Sequence, residues 1–193
     1  MCGTPVPPDH RHLLELATRE LRCACRPCAI LFDNPAASEG RYRLLPTRRL
    51  RLDEMQLSDE TWAELRLPVD IAFLFRSSID GQVLAFYPSP MGATESLLRL
   101  EAWTALEQAN PVLGTLAPDV EALLVNRTQT VPGQWLVPLD DCFRLVGLIR
   151  TRWRGFTGGR EVWEALAKFF DDLNRRSRPV RRELVHEETT WRR

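Results

Sequence analysis

Hydrophobic positions recur along this chain with changing period, and the changes mark its elements. Residues 12–25 read as a hairpin: His12–Leu16, a turn at Ala17–Glu20, then Leu21–Cys25. That register sets Leu16 opposite Leu21, Leu14 opposite Cys23, and His12 opposite Cys25. The competing reading is a helix over His10–Arg22, with Leu13, Ala17 and Leu21 on one stripe. Such a helix would run about 18 Å and stretch the loop 3–9 back along its whole length, so the hairpin is favoured. Turn formers fill residues 33–40, Asp33-Asn-Pro-Ala-Ala-Ser-Glu-Gly40, and read as a linker.

Beyond the linker the periods alternate. Arg41–Leu45 and Arg48–Leu52 are extended and Arg-rich, broken by Pro46. Ser58-Asp-Glu-Thr-Trp62 opens a short helix with Ser58 as its N-cap, and Pro68 ends it. Val69–Ser77 and Gln82–Pro88 are β-rich runs joined at Ile79-Asp80-Gly81, a hairpin signal. Residues 89–93 read as a loop, Thr94–Arg99 as a strand, and Leu100–Ala109 as a helix with Trp103 and Leu106 inward. Strands are expected at Val120–Val125 and Gln134–Pro138. A helix Cys142–Trp153 follows, capped by Asp140 or Asp141. The last element is an amphipathic helix, Arg160–Arg176, burying Val162, Trp163, Leu166, Phe169, Phe170 and Leu173. Helices and strands interleave unevenly, which predicts an α+β fold with a mostly antiparallel sheet and two C-terminal helices. The expected organisation is a Cys-rich, zinc-ribbon-like module over 1–32, a linker over 33–40, an α+β domain over 41–176 and a flexible tail over 177–193.

Composition narrows the function classes. The chain has 193 residues, 44% of them hydrophobic and 27% charged, a globular balance. Its 26 basic and 26 acidic residues cancel, so no overall field recruits nucleic acid or an anionic membrane. No apolar run approaches the length of a membrane span and no charged segment precedes an apolar one at the N-terminus. A cytoplasmic protein is expected. The cluster Arg41, Arg43, Arg48, Arg49 and Arg51 reads as a solvated strand face, since only Tyr42 could add stacking for nucleic acid.

Cysteine placement carries the chemistry. Of 5 cysteines, three fall together in Cys23-Ala-Cys25-Arg-Pro-Cys28, with Cys2 and Cys142 apart. An odd number in a chain without an export signal argues against a disulfide framework. Cys25 and Cys28 have the spacing at which two thiolates of one turn reach one ion, and zinc takes four such donors in a tetrahedron. Cys2, Cys23, Cys25 and Cys28 are therefore the expected ligands. His10 and His12 are expected at the surface or in an outer shell around the metal, and Cys142 as a small buried hydrophobe. A thioredoxin-like pair is disfavoured because no βαβ pattern surrounds it.

The other motifs have plainer readings. Gly158-Gly159 suits a turn between helices, Asp140-Asp141 suits capping, and Trp135, Trp153 and Trp163 suit core anchors. Asn126-Arg-Thr128 matches a glycosylation sequon without meaning in a cytoplasmic chain. No Ser–His–Asp or HExxH arrangement is present and only 3 histidines are available for acid–base work, so a non-enzymatic role is favoured.

Several stretches together carry a resemblance. They are His10-Arg-His-Leu-Leu14, Cys23-Ala-Cys-Arg-Pro-Cys28, Ala85-Phe-Tyr-Pro-Ser-Pro90, Gly92-Ala-Thr-Glu-Ser96, Asp119-Val-Glu-Ala-Leu-Leu-Val-Asn-Arg127 and Asp141-Cys-Phe-Arg-Leu-Val146. Trp153-Arg-Gly155, Gly158-Gly159 and Val162-Trp163 complete the set. Over about residues 1–175 the chain resembles the domain of unknown function encoded beside actinobacterial-type uptake nickel–iron hydrogenases. The resemblance implies a role near hydrogenase assembly or electron transfer and supplies no catalytic residue. In that family a Cys-x-x-Cys pair precedes the Cys-x-Cys-x-x-Cys cluster, and here only Cys2 matches it. Either the start is truncated or Cys23 takes the fourth ligand place. The expected function is a zinc-binding accessory protein with a hydrogenase subunit or maturation factor as partner. The alternatives are a rubredoxin-like carrier, with iron on the same thiolates, and a zinc-ribbon nucleic-acid regulator.

Overall fold

In the computed structural model, which describes residues 2–96 and 99–180, the chain begins as a small sheet laid against a larger one. Strands β1 (Arg11–Glu15) and β2 (Glu20–Ala24) form the expected hairpin, but with its turn at residues 16–19. Arg19 takes the left-handed conformation there (φ 56°), and its N–H bonds Glu15 O at 2.8 Å. Arg22 then reaches both Glu15 and Glu20 at the closed end. The register is shifted by two from the expected one: Leu14 pairs with Leu21, and His12 with Cys23 rather than Cys25. An even shift keeps every side chain on its expected face.

Helix α1 (Arg26–Asp33) follows at once, with Pro27 in its first turn, where a missing N–H costs nothing. The turn-rich stretch at 33–40 is ordered structure: Asn34 caps α2 (Pro35–Ser38), its side chain accepting from Ala36 N. The strand β3 (Tyr42–Leu44), expected in the larger domain, pairs with β1, giving the order β2-β1-β3. The small sheet packs Leu13, Ala24, Cys28 and Ala29 on its α1 side. Its other face is continuous with the main core through Leu14 and Leu45.

The large sheet is assembled from β4 (Leu50–Arg51), β5 (Ile71–Arg76), β6 (Val83–Ser89), β7 (Gly92–Ser96), β8 (Glu121–Asn126) and β9 (Gly133–Pro138). A seventh strand, β10 (Arg178–Pro179), adds parallel to β4, whereas the other pairs are antiparallel. Its order is β10-β4-β9-β8-β5-β6-β7. The start of the expected tail is therefore an edge strand; residues 181–193, with His186, lie outside the described residues, as do Leu97 and Leu98 of the strand expected at 94–99.

Both faces of this sheet are covered, which is why β5 and β8 read as unbroken apolar runs. Ile71, Phe73, Phe75, Ala122 and Leu124 face α5 (Leu139–Arg152) and α6 (Arg160–Arg176). Ala72, Leu74, Leu123 and Val125 face Trp62 of α3 (Asp59–Glu64) and Trp103 and Leu106 of α4 (Leu100–Ala109). Ser58 caps α3 as expected, accepting from Thr61 N at 3.1 Å. Trp135 is fully buried, stacks on Phe170 with ring centroids 5.3 Å apart, and donates its indole N–H to Asn174. Trp163, expected in the core, is instead 42% exposed and donates to Thr157 O from the outer side of α6. No helix among the described residues is long and apolar enough to cross a membrane.

Of the five arginines expected on a solvated face, three reach buried carboxylates far along the chain. Arg48 clasps the buried Glu121, Arg49 the buried Asp141, and Arg43 the buried Asp119, while Arg41 and Arg51 pair locally with Glu39 and Asp53. The sequon is equally structural. Asn126 is 1% exposed, and its amide donates to Thr130 O and Val131 O across the β8–β9 turn.

Candidate metal centre

The hairpin's open end, the N-terminal loop and the start of α1 meet at one place. Cys25 is the N-cap of α1 and Cys28 lies in its first turn, so the pair opens a helix rather than bridging two strands. Proline at the second helical position and the tight first turn bring the two thiols to the same side. Cys2 arrives from the loop, its Sγ 3.6 Å from Cys25 Sγ. One sulfur from each of Cys2, Cys25 and Cys28 lies within 4.8 Å of the others. Thiolates around one zinc at about 2.3 Å sit about 3.8 Å apart in a tetrahedron, so the group needs little movement to close on an ion.

The three thiols differ in surroundings. Cys2 is exposed, Cys25 half-buried and Cys28 buried. The Thr4 hydroxyl, then the Thr4 backbone N–H, then the Cys28 and Cys25 thiols favour the Cys2 thiolate, lowering it from 9.0 to about 6. At Cys25 the Cys28 backbone N–H favours the thiolate, but the Cys2 and Cys28 thiols and burial outweigh it and push Cys25 up. Such a cluster gives up its first proton readily and holds the next, the behaviour expected when anions converge without a cation. A divalent ion removes that conflict.

Of the four expected ligands, the geometry groups three. Cys23 lies instead with His10 and His12, one donor atom of each within 4.8 Å of the others. The two-residue register shift is the reason, since it moves His12 opposite Cys23. Asp140 does not cap α5, whose N-cap is Pro138. Its Oδ2 accepts from His12 Nδ1 at 2.9 Å. Asp141, also in the first turn, accepts from Arg49 and faces Arg144 and Arg176. Cys142 is fully buried and belongs to neither group; burial first, then Asp141 and Asp140, pushes its thiol well up. The histidines were legible only through the hairpin register.

A cleft of about 630 Å³ runs beside the histidines, lined by His10, His12, Arg11, Arg49, Asp140 and Arg176 among others. Its polar walls are mostly committed to one another. Arg11 donates to Leu45 O, and Arg49 and Arg176 both face Asp141.

The chain belongs to the family of unknown function DUF5947, whose model matches residues 1–177. No curated protein and no solved structure gives a match.

Proposed function

We propose that this DUF5947 chain is a non-enzymatic zinc-binding accessory protein, with Cys2, Cys25 and Cys28 as thiolate ligands. The observation that carries the reading is the convergence of three sulfurs from two separated segments, with Cys2 and Cys25 only 3.6 Å apart. Soft sulfur donors at this spacing select zinc over hard cations. A rubredoxin-like iron site wants a fourth thiolate, and Cys23 stands among imidazoles, so zinc is the better occupant. The N-terminal module then acts as a metal-stapled unit in the reducing cytoplasm, where clustered thiols bind metal rather than pair.

The partner proposed is a protein, a nickel–iron hydrogenase subunit or maturation factor. Its support is the resemblance in sequence to the domain encoded beside those enzymes. The nucleic-acid alternative loses its best residues, because Arg48 and Arg49 are spent on Glu121 and Asp141.

The test is metal analysis of full-length protein purified under reducing conditions without added metal. Zinc is expected to co-purify, and Cys25→Ser and Cys28→Ser are each expected to remove one equivalent. Full metal content in both variants would sink the proposal. For the partner, hydrogenase subunits should be retained on the tagged chain in a hydrogenase-expressing cell. Recovery of nucleic acid without them reverses the choice.

A further inference from the structure

The face of the hairpin turned toward α5 carries three donors that the thiolate site does not use. His12 pairs with Cys23 across β1 and β2, and His10, just ahead of β1, sets its ring edge-on to that of His12 with centroids 4.8 Å apart. Directly opposed residues on one face hold their Cβ atoms about 5 Å apart. The result is a compact N, N, S set with one donor atom of each residue within 4.8 Å of the others.

Both rings are oriented as metal-ligating histidines are. His10 Nδ1 lies 2.7 Å from Pro7 O, and a carbonyl only accepts, so this nitrogen carries the hydrogen. His12 Nδ1 lies 2.9 Å from Asp140 Oδ2. In each neutral ring that leaves Nε2 as the lone-pair nitrogen. A backbone carbonyl behind one imidazole and a carboxylate behind the other are the outer partners that fix tautomer and ring angle around a metal. The second observation is independent of these bonds: His10 Nε2 is buried with no hydrogen-bond partner. A buried polar nitrogen without a partner is costly, and an ion at the centre of the group would supply one. An ordinary anchoring role accounts for His12 with Asp140. It leaves the orphaned His10 nitrogen and the nearby Cys23 thiol unexplained.

We infer that His10, His12 and Cys23 form a second metal site, distinct from Cys2–Cys25–Cys28. It takes a divalent ion of the zinc class through two imidazole nitrogens and one thiolate. The donor set excludes calcium and magnesium, which want oxygen, and suits zinc or cobalt(II). Three protein donors leave a fourth tetrahedral position for water. His10 and His12 both line the cleft, so solvent can supply it.

The experiment titrates the full-length reduced chain, stripped of metal, with cobalt(II) and then zinc. Native mass spectrometry counts the ions and the cobalt absorption reports the donors. Two equivalents are expected in the wild type. Cys23→Ser should bind one, and so should His10→Ala, each keeping the sulfur-rich spectrum of the thiolate site. Cys25→Ser should also bind one, with the complementary spectrum. Cys23 is exposed, so its serine variant leaves the core untouched. Asp140→Asn changes only the partner of His12 and should weaken the histidine site about 10–100-fold. A wild type that binds one ion, kept in Cys23→Ser and lost in Cys25→Ser, overturns this site and leaves the thiolate site standing. One ion lost in both means a single four-ligand centre, and no ion at all removes both sites.

Discussion

Cys2 should behave as a thiolate well below the pH at which free cysteine ionises, and the consequence can be worked through. Its sulfur is 3.2 Å from Thr4 Oγ1 and 3.6 Å from Cys25 Sγ, and its pKa falls from 9.0 to about 6. At pH 7 that makes it about 90% thiolate, against about 1% for an ordinary thiol, a gain of about 90-fold in reactive form. Nucleophilicity falls with basicity, however. With a Brønsted slope of 0.4–0.5, three pKa units take back about 20-fold. The net rate with an aromatic disulfide at pH 7 should exceed that of a free cysteine by only about fourfold. The pH profile is therefore the sharper reading. In the metal-free chain, the rate lost on Cys2→Ser should reach half-maximum near pH 6 and be flat above pH 7. Thr4→Val, which removes the largest stabilising bond, should move the midpoint up, and zinc should suppress the reaction. A rate that keeps climbing through pH 8 to 9 would refute the reasoning. The sign for folding follows. The folded state binds fewer protons at Cys2 between about pH 6 and 9, so this contribution is complete above 9 and lost as pH falls through 6.

Other outcomes follow from the packing. Asp141→Ala leaves Arg49, with Arg144 and Arg176 nearby, around an empty place in a site where the carboxylate was 2% exposed. Urea unfolding should show a loss of about 3–5 kcal/mol, and a loss under about 1 kcal/mol contradicts the buried-pair account. Cys142→Ala should leave metal content unchanged, since Cys142 belongs to neither donor group; a lost equivalent in elemental analysis reverses that assignment. Gly158→Ala should cost more than about 1 kcal/mol, because φ is +85° and the new Cβ would lie 2.8 Å from Val162 Cγ1. Gly155→Ala, at φ +60° with nothing within 4 Å, should cost less, and equal losses would put the effect in the backbone alone.

Local pattern carried most of the elements, and long-range pairing carried what local pattern could not. The helix at Leu100–Ala109 and the helix at Arg160–Arg176 coincide with their expected bounds, because each has a long apolar stripe. The hairpin at 71–89 follows from its turn residues and its apolar runs. By contrast, β3 looks like part of the larger domain because turn formers precede it. Only its pairing with β1 reveals the small sheet. Arg48 and Arg49 looked solvated because Glu121 and Asp141 are distant in sequence. The candidate metal site was legible as a cysteine cluster, but its division was not. Whether Cys23 sits with thiols or with imidazoles depends on a turn set one residue earlier, which shifts the pairing by two, with Arg19 in the left-handed region that the pattern of apolar residues does not encode.

The position of the donors also says what metal would do for this fold. Among the described residues, the α1 side of the small sheet buries Leu13, Ala24, Cys28 and Ala29, with Cys25, Phe32, Tyr42 and Leu44 partly buried around them, a small core of the kind that a metal commonly supplements. Cys28 serves in that cluster and in the thiolate group at once, so an ion there would tie the loop through Cys2 to the base of α1 and to the packing beneath it. Binding free energy at a site absent from the unfolded chain is folding free energy. The opposite face of the hairpin needs less help, since Leu14 and Leu45 already join the core of the large sheet and His12 is bonded to Asp140 on α5. An ion on the thiolates would thus order the small sheet. One on the histidines would sit at its seam with the large sheet, where a change of occupancy can alter how the two are held together.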